Sequence, residues 1–163
     1  MVLKENFMYL CFHKPSGLIG SLISLWTVGK YAHVEFVYNG YKYLSNPGGI
    51  RKEPYVYKNN HDLYELNYLV DPNKILEFFE MTEGLPYDMK AIVKAQLLMG
   101  NDHFNDQDPN AYFCSEFVLA AIDYAMNYKL MYGKAGINEK GYFKFNPERL
   151  FKYLKNRNFI NEK

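Results

Sequence analysis

The chain has 163 residues, 48% of them apolar, which is enough to bury one core in a single domain over residues 1–163. Its formal net charge of +1 lacks the basic excess that duplex nucleic acid demands of a partner. Leu18–Trp26 is too short for a membrane span and is broken by Gly and Ser, and Met1–Asn6 has no signal-peptide layout. Two cysteines, Cys11 and Cys114, cannot make a disulfide scaffold, so free thiols and a cytoplasmic location are the expectation.

Asn6–His13 reads as a strand, with Cys11 as a buried strand residue. Lys14-Pro15-Ser16-Gly17 is a break with Ser16 as N-cap, and Leu18, Ile19, Leu22, Ile23 and Trp26 then recur at helical spacing up to Gly29. Tyr31–Tyr38 is a strand, Asn39-Gly40 is a two-residue hairpin turn, and Tyr41–Asn46 returns antiparallel. Pro47-Gly48-Gly49 reads as a loop, followed by strands near Tyr55 and over Asp62–Leu69. Asp71-Pro72 starts a helix with Ile75, Leu76, Phe78 and Phe79 as its apolar face, and Gly84-Leu85-Pro86 breaks it. Tyr87–Met99 is again helical and Gly100–Asn110 is a polar loop. Asp108-Pro109 opens a further helix, whose buried face is Phe113, Phe117, Val118, Ala121, Ile122 and Ala125, and Asn146-Pro147 caps a last helix through Tyr153. The order, strands first and mostly helices after, indicates an α+β fold in which an antiparallel sheet packs against helices.

Two side chains stand out chemically. Cys114 falls within the first turn or so of its helix, where unpaired N–H groups and the helix dipole favour an anion, so a thiolate is stabilised there. The ordinary fate of a lone cysteine is nevertheless to be buried and inert. His33 lies on a strand that fixes its direction, and Glu35, two residues on, shares its face. A carboxylate so placed can fix the imidazole tautomer, the role of a third triad member. Ser45 and Asn46, at the end of the returning strand, are alternative orienters. Tyr87-Asp88 reads as a helix start, and Glu116 as a first-turn carboxylate that favours the dipole. Asp102, His103, Asp106 and Asp108 crowd one loop, but their spacing is not that of a calcium loop, so no metal is expected. His13 and His61 have no partner visible in the sequence. Asn46-Pro47-Gly48-Gly49-Ile50 precedes no helix and so is not a phosphate loop.

Four motifs then fall in one order: Tyr31-Ala32-His33-Val34-Glu35-Phe36-Val37, Ser45-Asn46-Pro47-Gly48-Gly49-Ile50-Arg51, Gly84-Leu85-Pro86-Tyr87-Asp88 and Tyr112-Phe113-Cys114-Ser115-Glu116. In that order the chain resembles the permuted branch of the NlpC-type papain-like cysteine peptidases and amidases, which includes lecithin-retinol-acyltransferase-like proteins. Small phage and prophage members are the most similar. In this branch the His strand precedes the Cys helix. The resemblance runs from about Phe7 to about Phe151. It implies a circularly permuted papain-like fold, Cys114 as nucleophile and His33 as general base. It also implies Tyr87, Tyr112, Ser115 and Glu116 near the site, as third residue or in substrate binding. The chain departs from the pattern at Glu35, where the family often has Gly. It departs again at Ser45 and Asn46, neither of which is the common His or Glu of the next strand, so the orienter is ranked Glu35, then Asn46 and Ser45.

The implied activity is cleavage of an amide, isopeptide or (thio)ester bond through an acyl-enzyme, without a cofactor. The substrate would be a peptide, a protein conjugate or an acyl-bearing molecule, met in the host cytoplasm if the chain is phage-encoded. Transfer to an acceptor other than water, as an acyltransferase, is the neighbouring possibility. The competing classes are a catalytically idle papain-like module that holds a peptide or host protein, and a metal hydrolase built on Asp102–Asp108. The sequence leaves the oligomeric state open.

Overall fold

The computed structural model describes residues 3–16, 29–89, 110–127, 142 and 145–161. The helix expected over Leu18–Trp26, nearly all of that expected over Tyr87–Met99, and the acidic loop with Asp102, His103, Asp106 and Asp108 lie outside the described residues.

Among the described residues six strands form one antiparallel sheet: β1 (Tyr9–His13), β2 (His33–Tyr38), β3 (Tyr41–Asn46), β4 (Gly49–Pro54), β5 (His61–Leu66) and β6 (Ile160–Asn161), in the spatial order β4-β3-β2-β1-β5-β6. β2 and β3 join as the Asn39-Gly40 turn requires, with φ of 46° and 80° at the two positions. β1 lies between β2 and β5, so Cys11 faces Glu35 on one side and Leu63 on the other, and His13 faces both His33 and His61. Strand alternation gives this sheet two apolar faces. Leu10, Phe12, Val34, Phe36 and Tyr64 enter the main core, while Tyr9, Cys11, Val37 and Leu63 make a smaller cluster with Leu3 and Tyr55 packed against it.

Three helices are described: α1 (Pro72–Thr82), α2 (Cys114–Ala125) and α3 (Pro147–Asn156). Asp71 caps α1 by accepting from Asn73 N–H at 2.9 Å, and Asn146 caps α3 by accepting from Arg149 N–H at 2.8 Å. Such caps contribute about 1 kcal/mol each. α2 lies on β2 and β3 and packs against α1 and α3. Phe117, Leu119 and Ile122 are fully buried there, each side chain stabilising by roughly 1.5–3 kcal/mol. The architecture is therefore α+β, an antiparallel sheet packed against helices. Among the described residues no helix is long and apolar enough to cross a membrane.

Several boundaries differ from the sequence reading. The Cys helix does not start at Asp108-Pro109: Phe113 is extended (φ −90°, ψ 171°) and Cys114 is the first helical residue. The strand expected near Tyr55 is β4, which begins inside the expected loop at Gly49 and ends at Pro54. β4 is an edge strand, and Arg51, Lys52 and Glu53 give it the charge that edges tolerate and that hides a strand from hydropathy. β5 ends at Leu66 because the chain turns at Tyr68-Leu69, and the short pairing of Ile160 with Leu66 had no signal in the sequence.

Candidate active site

Cys114 owes its position to where α2 begins. As first residue of the helix it lies at the end that carries unpaired N–H groups and the positive end of the dipole. Ser115 N–H and Val34 N–H of β2 both donate to its Sγ, and so does the side chain of His33. The Tyr87 hydroxyl is a further hydrogen-bond partner of the sulfur. Burial alone would raise the Cys114 pKa. The charge and hydrogen bond of His33, followed by the two backbone N–H groups, outweigh burial and bring it below the ordinary 9.0.

Tyr87 reaches the sulfur because its segment is tied on both sides. Gly84 N–H donates to Ile50 O at 2.9 Å and Ile50 N–H to Leu85 O at 2.9 Å, which docks the segment on β4. Gly49 permits this approach: it has φ +88°, and a Cβ there would stand 2.7 Å from the Leu85 carbonyl oxygen. On the other side Tyr112 N–H donates to Pro86 O at 3.3 Å and Asp88 N–H to Tyr112 O at 3.4 Å. Burial, then the charge of Cys114, raise the Tyr87 phenol, so it stays protonated and able to donate.

His33 opens β2 and is half-buried. Burial alone would lower its pKa, but the Cys114 thiolate, the hydrogen bond to it and the Glu35 carboxylate prevail, raising it from 6.5 to about 10. Glu35 is 1% exposed. Its Oε1 lies 3.1 Å from His13 Nε2, and its Oε2 lies 3.4 Å from His33 Nε2. The second contact is poorly directed for a hydrogen bond and acts mainly as an ion pair. Burial would raise the Glu35 pKa, but the hydrogen bond from His13 and the charge of His33 hold the carboxyl well below the usual carboxylate range.

The polar row continues along the sheet. His13 meets His33 edge-on at 4.8 Å between ring centroids and stacks on His61 at 4.1 Å with 16° between planes. His61 Nδ1 lies 3.2 Å from the Tyr55 hydroxyl, which is 3.8 Å from Cys11 Sγ. His13 and His61 were not paired by the sequence reading, because their partners are on neighbouring strands. In the structure His13 ends β1 while His33 and His61 open β2 and β5, and of the three only His13 marked an end of a strand expected from the sequence.

The remaining sequence candidates take other roles. Of Glu35, Ser45 and Asn46, Glu35 is the one whose side chain meets His33. Ser45 lies on the opposite pleat from Asn46 and donates to Tyr112 O at 2.6 Å, while Asn46 Oδ1 accepts from Arg51. Both therefore depart from the orienting role. Ser115 donates to Phe145 O at 2.6 Å, fastening the start of α2 to the segment before α3. Glu116, fully buried, accepts Phe113 N–H at 3.3 Å, which closes the first turn. The Tyr112 ring packs edge-on against Phe78 at 6.1 Å. Tyr87 and Asp88 are not themselves helical and stand immediately before the first helical residue, Met89, so the helix start falls two residues later than expected.

Among the described residues two sets bring metal-type donors within 4.8 Å of one another: Cys11 with His13 and His61, and His13 with His33 and Glu35. Neither geometry fits one cation. The near-parallel rings of His13 and His61 hold their lone pairs in separate planes, and in the second set the N–H groups already face the carboxylate.

No family model, curated protein or solved structure matches the chain.

Proposed function

We propose that the protein is a cysteine hydrolase of circularly permuted papain-like, NlpC-type architecture, cleaving an amide, isopeptide or (thio)ester bond. The observation that carries the reading is the hydrogen bond between Cys114, first residue of α2, and His33 of β2, with Glu35 behind the imidazole. A thiolate made stable by an imidazolium and two N–H groups is a nucleophile ready at neutral pH.

The thiolate adds to the substrate carbonyl carbon and the carbonyl electrons move to oxygen. The Cys114 N–H at the helix start and the Tyr87 hydroxyl stabilise that oxyanion. His33 gives its proton to the departing amine, alcohol or thiol, leaving an acyl-thioester on Cys114. Neutral His33 then takes a proton from water, which attacks the thioester; collapse releases the acid and restores the pair. Each base-assisted step contributes ~10²–10⁴ in rate. Glu35 holds the imidazole in position and balances its charge throughout.

One observation favours a second reading, a module that binds a peptide or host protein without catalysis: Cys114 is only 4% exposed. Both readings meet the same experiment, alkylation of each cysteine by iodoacetamide across pH, resolved by mass spectrometry, in wild type and His33→Ala. The hydrolase is expected to show Cys114 reacting with a midpoint below the ordinary 9.0, far faster than Cys11, and to lose that advantage in His33→Ala. An inert Cys114, or an ordinary titration untouched by His33→Ala, would leave the binding module.

A further inference from the structure

We propose that His13 is a positioning residue for the Cys114–His33 pair, acting through Glu35: its Nε2–H holds the buried carboxylate in the orientation from which that carboxylate meets His33. The inference rests on the hydrolase reading above and adds a fourth group to it.

Three observations carry it. First, the better contact of Glu35 is not with His33. Oε1 meets His13 Nε2 at 3.1 Å, whereas Oε2 stands 3.4 Å from His33 Nε2 without hydrogen-bond direction. The direction of the carboxylate is therefore set from β1. Secondly, the proton inventory is fixed. An ionised carboxylate only accepts, so each imidazole nitrogen that faces it carries a hydrogen. His13 is thus the Nε2–H tautomer, and His33 keeps its contact with Cys114 while presenting N–H to Glu35. Thirdly, His13 is itself held. It lies across the ladder from both His33 and His61, and its ring is stacked on His61 at 4.1 Å. His61 in turn is fixed by Tyr55 at 3.2 Å. A rigid stack is what a positioning group needs, because a tilt of the donor would turn the acceptor.

The groups facing His13 decide how its removal reads out. From β2 they are Glu35 and His33, from β5 His61, and from its own strand Cys11; the Lys42 charge of β3 acts at longer range. Asp62, next along β5, is engaged with Lys14 and Lys30. Burial lowers the His13 pKa, so it is a neutral donor that does not compete with His33 for the positive charge. Without that donor, Glu35 loses its one well-directed hydrogen bond while still buried. It then turns or takes up a proton, and His33 loses its counter-charge.

The test is the pH profile of Cys114 alkylation by iodoacetamide in the full chain, comparing wild type, His33→Ala, His13→Phe and His13→Gln. Phe keeps the ring that stacks on His61 and drops the N–H; Gln drops the ring and keeps an N–H at about the same reach. We expect His13→Phe to raise the low-pH midpoint of Cys114 by about one unit, a tenfold loss of rate on that limb, with His13→Gln restoring most of it. A His13→Phe profile that coincides with wild type, while His33→Ala abolishes the fast reaction, overturns the role of His13 alone. A profile untouched by His33→Ala overturns the hydrolase reading and this one with it. Should His13→Phe fail to fold, long-range ¹H–¹⁵N NMR of the wild type decides: the Nε2–H tautomer at His13 beside a protonated His33 supports the proposal, and a bare Nε2 at His13 overturns it.

Discussion

The two cysteines are both buried and lie on two sides of one polar cluster, Cys114 against His33 and Cys11 across the ladder from Glu35, yet their chemistry diverges. At Cys11, burial first and the Glu35 charge second push the thiol far up, and the surrounding His13 and His61 are held neutral by their own burial. At Cys114 the same burial is overcome by an imidazolium and two backbone N–H groups. Low exposure therefore says nothing about reactivity by itself. What separates an inert thiol from a nucleophile here is whether a cation and a helix start face it.

The strongest way to break the comparison is to remove the charge at the ionic side. In Cys114→Ser, His33 loses the group that raises it most and should titrate near the ordinary 6.5 instead of about 10. NMR titration of the His33 ring reads this directly, and a value that stays near 10 would show that Cys114 is not its partner.

A smaller effect sharpens the neutral side. The His61 pKa is lowered in the folded state, by burial and then by His13, from 6.5 to about 4. The unfolded chain therefore takes up this proton first as pH falls, so the stability is present above 6.5 and is lost on the way down to about 4. Acidification from pH 7 to pH 5 should cost about 1 kcal/mol from this group, roughly half the full linkage value, because nearby solvent screens the ring. His61→Phe should remove that share of the loss. Urea unfolding at the two pH values measures it, and equal acid losses in both proteins would refute the assignment.

The smallest effect concerns Cys11 itself. Cys11→Ala trims a thiol from the Tyr9–Val37–Leu63 cluster and should cost about 0.5 kcal/mol by urea midpoint, with the Cys114 alkylation profile unchanged. A shift in that profile would mean that the two sides of the cluster are not separable.

Local chemistry made much of the frame legible. Asn39-Gly40 set a hairpin because both residues tolerate positive φ, and Asp71-Pro72 and Asn146-Pro147 announced α1 and α3 because capping acts within one turn. Strand alternation alone places Glu35 on the same face as His33. Boundaries without a local cause were misplaced. Pro47-Gly48-Gly49 looked like loop and the next strand was expected near Tyr55, yet β4 already starts at Gly49, held there by pairing with β3. Asp108-Pro109 looked like a helix start, yet α2 begins where Glu116 closes on Phe113 N–H.

By itself, then, the sequence determined an α+β chain with a cysteine near a helix start, a histidine on a strand and a carboxylate on that histidine's face. Only the tertiary structure decided what these groups meet. The register of β1 between β2 and β5 places His13 against Glu35 and His61, and the docking of α2 on β2 brings Cys114 to His33. Those contacts join residues far apart in the chain, and their electrostatics depend on burial, which no local window of sequence contains.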